Sequence, residues 1–408
     1  MIAAPAHTRS RAPLSESHAF WMLAATLGFV LFASSAPSPL YVVYQARWHF
    51  SAITLTSVFA VYVVALLVSL VFAGSLSDRV GRRPVLLGAL LVQAGAMVLF
   101  GVAHDVDVLF AARIVQGLAT GVATGALSAA LIDLQPDGRP HLGALLSAAA
   151  PPLGLAAGAL GSGLLVQYGP DPLRLVYWLL VAVFAVAIAG VLAMPETVER
   201  HDGDLRQVLR PRIGVPRPAR AAFLAVAPVL VATWALSGLY LSLGPSLAVS
   251  LLHTSSHVTG GLVIVALTAT GALTSVLVRD RAPEHVLTGG ALMLALGVGV
   301  TILGLNQEQT VLFFAGSVIA GVGFGAGFSG ALKTIVSLAP PTERSGLVAA
   351  VYVPCYVGFS VPAIAAGIAV THAGLLATTN VYGSVLVVLA LWAAAATTAR
   401  HRRAVAVA

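Results

Sequence analysis

The chain has 408 residues, 58% of them hydrophobic and only 9% charged, where an ordinary soluble domain carries about a quarter charged residues. That apolar excess excludes a soluble enzyme and a disordered chain, and a formal charge of +7 spread so thinly makes no nucleic-acid-binding arm. The lone cysteine, Cys355, allows no internal disulfide, and no CxxC or Cys/His cluster is present to hold a metal.

A helix that crosses a bilayer needs about 20 mostly apolar residues. Runs of that kind fall at 19–44, 52–74, 84–103, 108–133, 142–166, 174–194, 221–250, 258–278, 286–304, 310–332, 346–370 and 377–399. The first follows Arg9 and Arg11 but is too long for the apolar core of a signal peptide and has no convincing cleavage site, so it reads as a retained span. Residues 1–18 form a short N-terminal segment, 195–220 a linker between the halves 19–194 and 221–399, and 400–408 a tail. The expected fold is an all-α membrane protein with twelve transmembrane helices in two six-helix bundles. No ordered soluble domain fits in the remaining segments.

Basic residues mark the cytoplasmic side of a membrane protein. With the N-terminus inside, 19 of the 22 basic residues lie on the inner segments, against Arg47 and Arg174 outside and Arg113 within the fourth span. Both termini are therefore expected to be cytoplasmic, in the inner membrane of a bacterium.

The halves also repeat one another at a shift of about half the chain. Asp78-Arg79 matches Asp280-Arg281, Gly117 and Gly121 match Gly321 and Gly325, Pro136 matches Pro340, and Pro37-Ser38 matches Pro245-Ser246. Two parallel halves related by an axis along the membrane normal produce such a pattern.

The turn after the second span reads Gly74-Ser75-Leu76-Ser77-Asp78-Arg79-Val80-Gly81-Arg82-Arg83. It resembles the signature G-x-L-x-D-R-x-G-R-R/K of the major facilitator superfamily. Gly81 permits a turn conformation closed to residues with a Cβ, and Asp78 can accept from arginine or a helix N-terminus. The resemblance implies that Gly74, Asp78, Arg79, Gly81, Arg82 and Arg83, with Asp133 at the inner end of the fourth span, form a charged latch that breaks and remakes as the halves rock. Asp133 reads equally well as a solvated interfacial residue. The second copy, at Asp280-Arg281, has Pro283 and Glu284 where the first has Gly81 and Arg82.

Arg113-Ile114-Val115-Gln116-Gly117 resembles the R-x-x-Q-G motif of proton-coupled members of the same family. A charge at that depth is expensive and lines a cavity or pairs with an acid, which makes Arg113, Gln116 and Gly117 the coupling candidates. No Asp or Glu lies deep in any span. In the fifth span, Gly154, Gly158 and Gly163 resemble the family's antiporter signature G-x-x-x-G-P-x-x-G-G, with Ala159 and Ser162 in place of its proline and one glycine. Small residues at that spacing are also ordinary packing seams in lipid.

Candidates for the solute cavity are Tyr41, Tyr240, Tyr352 and Tyr356, with aromatic faces and polar tips suited to amphipathic ligands, and Gln93, one of the few polar side chains within the spans. Tyrosines near span ends also serve as interface-belt residues. Trp21, Phe29, Trp234 and Phe328 are weaker candidates, read as lipid-facing or packing residues.

The resemblance implies a secondary transporter that exports a drug or metabolite in exchange for protons, with a symporter or facilitator importing a sugar or small metabolite as the alternative. No Walker-type motif and no catalytic cluster at membrane depth are present, so neither an ATP-driven pump nor an enzyme is expected. The expected partners are a small-molecule substrate and the lipid bilayer, with no nucleic acid, no cofactor beyond the proton gradient, and a monomeric state.

Overall fold

The structure, a computed structural model, describes residues 13–73, 76–139, 141–198, 213–251, 256–340 and 343–407. Gly74 of the signature, most of the N-terminal segment and residues 199–212 of the linker lie outside the described residues.

Among the described residues, twelve helices are long and apolar enough to cross a membrane. They are α1 (Glu16–Trp48), α2 (Ala52–Ala73), α3 (Arg82–Gly101), α4 (Val106–Asp133), α5 (Leu142–Tyr168) and α6 (Leu175–Ala193), followed by α7 (Arg220–Leu251), α8 (His257–Leu277), α9 (Pro283–Asn306), α10 (Thr310–Val336), α11 (Arg344–Ala373) and α12 (Leu375–Val407). Several run past the limits that hydropathy sets, α12 continuing to Val407. Hydropathy marks where the chain leaves the apolar layer, whereas the backbone ladder continues until its donors find other partners.

The chain α1 is broken at Ala36, which separates Glu16–Ser35 from Pro37–Trp48. Pro37 has no N–H to give to the Ala33 carbonyl, and Pro39 none for Ser35. The break therefore leaves carbonyl oxygens free in the middle of a span. In lipid such groups need partners from neighbouring helices, and those partners build the candidate site.

Helices α1 to α6 pack on one another, as do α7 to α12, and the halves meet where α2 packs on α11 and α5 on α8. The joining contacts lie from mid-membrane toward the face opposite the Asp78–Arg83 turn. Phe59 stacks on Phe359 at 5.3 Å, and the His257 N–H donates to Gln167 Oε1 at 3.0 Å. Gly367 lies against Thr56, and Gly261 against the Ala159 carbonyl. Toward the arginine-bearing face, Arg82 bonds within the first half, and Lys333 reaches the Arg279 carbonyl within the second. The halves are thus joined on the face opposite the turn.

Candidate functional site

Arg113 sits roughly 10 Å into α4 at a rise of about 1.5 Å per residue, and none of it is exposed. Its Nη1 donates to the Ser34 carbonyl at 3.0 Å and to Gln116 Oε1 at 2.7 Å, while Nε donates to the Tyr41 hydroxyl at 2.5 Å. Gln116 Nε2 donates to the Ala33 carbonyl at 2.8 Å. Gln116 thus supplies the donor that Pro37 lacks, and the guanidinium sits at the negative end of the half-helix Glu16–Ser35.

Four rings surround the guanidinium: Tyr41, Phe59, Tyr62 and Phe100, with centroids 5.1–5.6 Å from its central carbon. All lie within cation–π range, worth about 0.5–2 kcal/mol each. Burying an unpaired charge costs several kcal/mol, so helix-end carbonyls, amide oxygen and ring faces together do what a carboxylate would otherwise do. Gly117 lets α4 approach α2, because a Cβ there would meet the Tyr62 carbonyl and Ala65.

At the opposite end of α4 the signature turn forms its own network. Arg82 Nε donates to Asp133 Oδ2 at 2.9 Å, and Nη1 donates to Ser77 Oγ at 2.7 Å and to Asp78. Gly81 has φ of 107°, a conformation that favours glycine. Glu196, which the sequence reading did not single out, accepts from the backbone N–H of Arg82 at 2.8 Å and of Arg83 at 3.1 Å, capping the start of α3. Thr197 Oγ1 adds a bond to Asp133 Oδ2 at 3.0 Å. This network ties the α2–α3 turn to the C-terminal ends of α4 and α6.

An aromatic wall stands on the second half. Trp234 of α7 is 4.7 Å from Tyr356, 5.9 Å from Tyr352, 5.8 Å from Phe328 and 6.1 Å from Phe359. Trp234, Tyr352, Tyr356 and Phe328 are only half-buried. Trp234 and Tyr356 also pack against the core built mainly from the first half. Because Phe359 stacks on Phe59, the wall continues through that pair to Arg113.

The other candidates go elsewhere. Tyr240 is buried in the core of the second half, its hydroxyl 2.8 Å from Ser317 Oγ and its ring stacked on Phe313, so it stands apart from the wall. Gln93 is buried against Thr120 at 3.4 Å. Trp21 and Phe29 face outward from the bundle, whereas Trp234 and Phe328 belong to the wall. Tyr41 is held at Arg113 and is no interface-belt residue.

The sequence matches the Major Facilitator Superfamily over residues 23–353. It is 23% identical over 302 residues to the multidrug resistance protein MdtL of Citrobacter koseri, covering 72% of this chain and 74% of that protein. A shorter match, 40% identical over 94 residues, links it to the class C tetracycline resistance protein of Escherichia coli, covering 22% of this chain and 23% of that one. Among solved structures, a bacterial homolog of the human lysosomal transporter Spinster, in an inward-facing and unoccupied conformation, superposes with a TM-score of 0.73 at 12% identity, covering 94% of this chain and 97% of the other. A POT family transporter in complex with 5-aminolevulinic acid gives a TM-score of 0.72 at 13% identity, covering 91% and 94%.

Proposed function

The chain belongs to the major facilitator superfamily, and from that premise we propose that it exports a small organic solute by alternating access, in exchange for protons. It is a multi-pass membrane transporter and not an enzyme. The observation that carries the export mechanism is the unequal packing of the halves around the α1 break, closed through Phe59–Phe359 and Gln167–His257 on one face. With both termini in the cytoplasm, that arrangement reads as the inward-facing state. The solute enters between the halves and meets the Trp234 wall, and the halves then close through the arginine-bearing face. Asp78, Arg82 and Asp133 act as the latch on that face, and the protein works as a monomer.

Efflux is supported by the names of the relatives, a multidrug and a tetracycline resistance protein. It is also supported by spans poor in the Asn, Gln and carboxylate groups that a sugar-binding cavity uses. The test is reconstitution into proteoliposomes, with tetracycline as the first tracer and an imposed pH gradient. Export predicts solute movement against its gradient when the opposite compartment is acidic, with proton movement in return. Movement that ignores the pH gradient refutes antiport, and movement only toward the cytoplasmic side refutes export.

A further inference from the structure

We propose that the site between the halves takes aromatic organic anions, carboxylates above all, and rejects organic cations. The proposal rests on the reading above for the place of the site and adds the charge of the solute.

None of the 15 acidic residues lies in a span interior. Those on span helices, Glu16, Asp107, Asp133 and Glu284, occupy a first or last turn. A solute that enters this layer loses its water and needs a partner for any charge it carries. An organic cation finds no carboxylate there, and the ring faces of Tyr41, Phe59, Tyr62 and Phe100 are already occupied by Arg113. It also meets a guanidinium of its own sign.

A carboxylate meets the opposite situation. Arg113 spends Nε and Nη1 on Tyr41, Ser34 and Gln116, and its buried Nη2 makes no hydrogen bond to protein. The two N–H groups of Nη2 remain free to donate to a carboxylate oxygen in a charge-assisted bond. Besides Arg113 Nη2, the buried side-chain atoms without a hydrogen bond among the described residues are Gln93 Nε2, Trp234 Nε1, Ser38 Oγ and Ser147 Oγ; of these, Trp234 Nε1 lies on the wall and can only donate. The complementary solute brings acceptors.

The aromatic part follows from continuity. Phe59 lies against both Arg113 and Phe359, and Phe359 against Trp234, so one stack joins the charge to the half-buried wall. Separation of Phe59 from Phe359 as the halves move uncovers the Arg113 end of that stack. A flat ring held on the wall, with an acidic group directed along the stack, satisfies both ends.

The test is equilibrium binding to the purified full-length protein in lipid nanodiscs, measured by calorimetry with three probes of one ring and different charge: 1-naphthoate, 1-naphthamide and 1-naphthylmethylammonium. The wild-type protein is expected to bind naphthoate about tenfold or more tightly than the ammonium, with the amide between them. Arg113→Gln should bring naphthoate down to the level of the amide, and Arg113→Lys should keep the wild-type order. Equal or tighter binding of the ammonium overturns the proposal, as does binding of none of the three, or an anion preference that survives Arg113→Gln. The wild-type series decides the matter even if Arg113→Gln fails to fold. A cation preference leaves export standing, whereas absence of solute movement in proteoliposomes refutes export and leaves the charge preference readable at equilibrium.

Discussion

Replacing Gln116 by methionine keeps the length and packing of the side chain and removes its polar atoms. Two bonds go with them, Gln116 Nε2 to the Ala33 carbonyl at 2.8 Å and Arg113 Nη1 to Gln116 Oε1 at 2.7 Å. With proline at position 37, the Ala33 carbonyl has no helical donor to fall back on, and a buried acceptor left unpaired costs about 1–3 kcal/mol. The bond to the guanidinium is charge-assisted and worth about 1.5–3 kcal/mol in water-soluble proteins. Membrane hydrogen bonds average nearer 0.6 kcal/mol, because the unfolded chain in lipid also finds partners, so the lower ends of these ranges apply. The expected loss is about 2–3 kcal/mol, read from unfolding in mixed micelles titrated with denaturing detergent. Gln93→Met is the control, since Gln93 Nε2 has no partner and its Oε1 only a 3.4 Å contact from Thr120; it should cost under about 1 kcal/mol. Adding Pro37→Ala to Gln116→Met restores a backbone donor and should recover about 1 kcal/mol. A loss below about 0.5 kcal/mol for Gln116→Met, or no recovery with Pro37→Ala, refutes the claim that the amide replaces the proline's missing donor.

Three further outcomes are expected. Gly117→Ala places a Cβ against the Tyr62 carbonyl and 2.8 Å from Ala65 Cβ, which should cost about 1–3 kcal/mol in thermal unfolding; Gly125→Ala, with open space around it, should be neutral or stabilising. Asp133→Asn weakens the acceptor shared by Arg82 and Thr197 at a part-exposed site, so stability should fall by less than about 1 kcal/mol while the transport rate in proteoliposomes falls several-fold; an unchanged rate removes Asp133 from the latch. Cys355 is the only thiol and is buried, so N-ethylmaleimide should label the native protein at least about tenfold more slowly than the unfolded chain.

What the sequence made legible follows the reach of each signal. Twelve spans are read from local hydropathy because the bilayer imposes one length on every helix. The signature turn is likewise local, and Asp78 and Arg82, four residues apart, meet within it. Glu196 was missed because its partners at the start of α3 lie more than a hundred residues away, joined only when α6 returns beside α3. Trp234 and Phe328 read from sequence only as weak cavity candidates, lipid-facing or packing, because a lone aromatic in an apolar run carries no direction. Only the packing of α7, α10 and α11 distinguishes them from Trp21, which does face outward. Tyr240 shows the same lack of direction in reverse: its hydroxyl bonds Ser317 within the second half and it stands apart from the wall.

The spacing in Arg113-x-x-Gln116-Gly117 also acquires a physical cause. Residues three and four apart share one face of a helix, and here that face docks onto a neighbouring helix that proline has broken. Arginine and glutamine, with donors on long stems, reach the carbonyls at the break, and glycine directly below them lets α4 lie close to α2. Thr120 and Gly121 continue the same face, Thr120 to Gln93 and Gly121 against Ser69 of α2. An acid near Arg113 is unnecessary for folding, because the end of the half-helix Glu16–Ser35 already offers negative potential where the cation sits. The charge at the centre of the first half is therefore held in place by groups of no net charge. A carboxylate brought by the solute would add there the only full negative charge at membrane depth, which makes the charge of the solute the property to measure first.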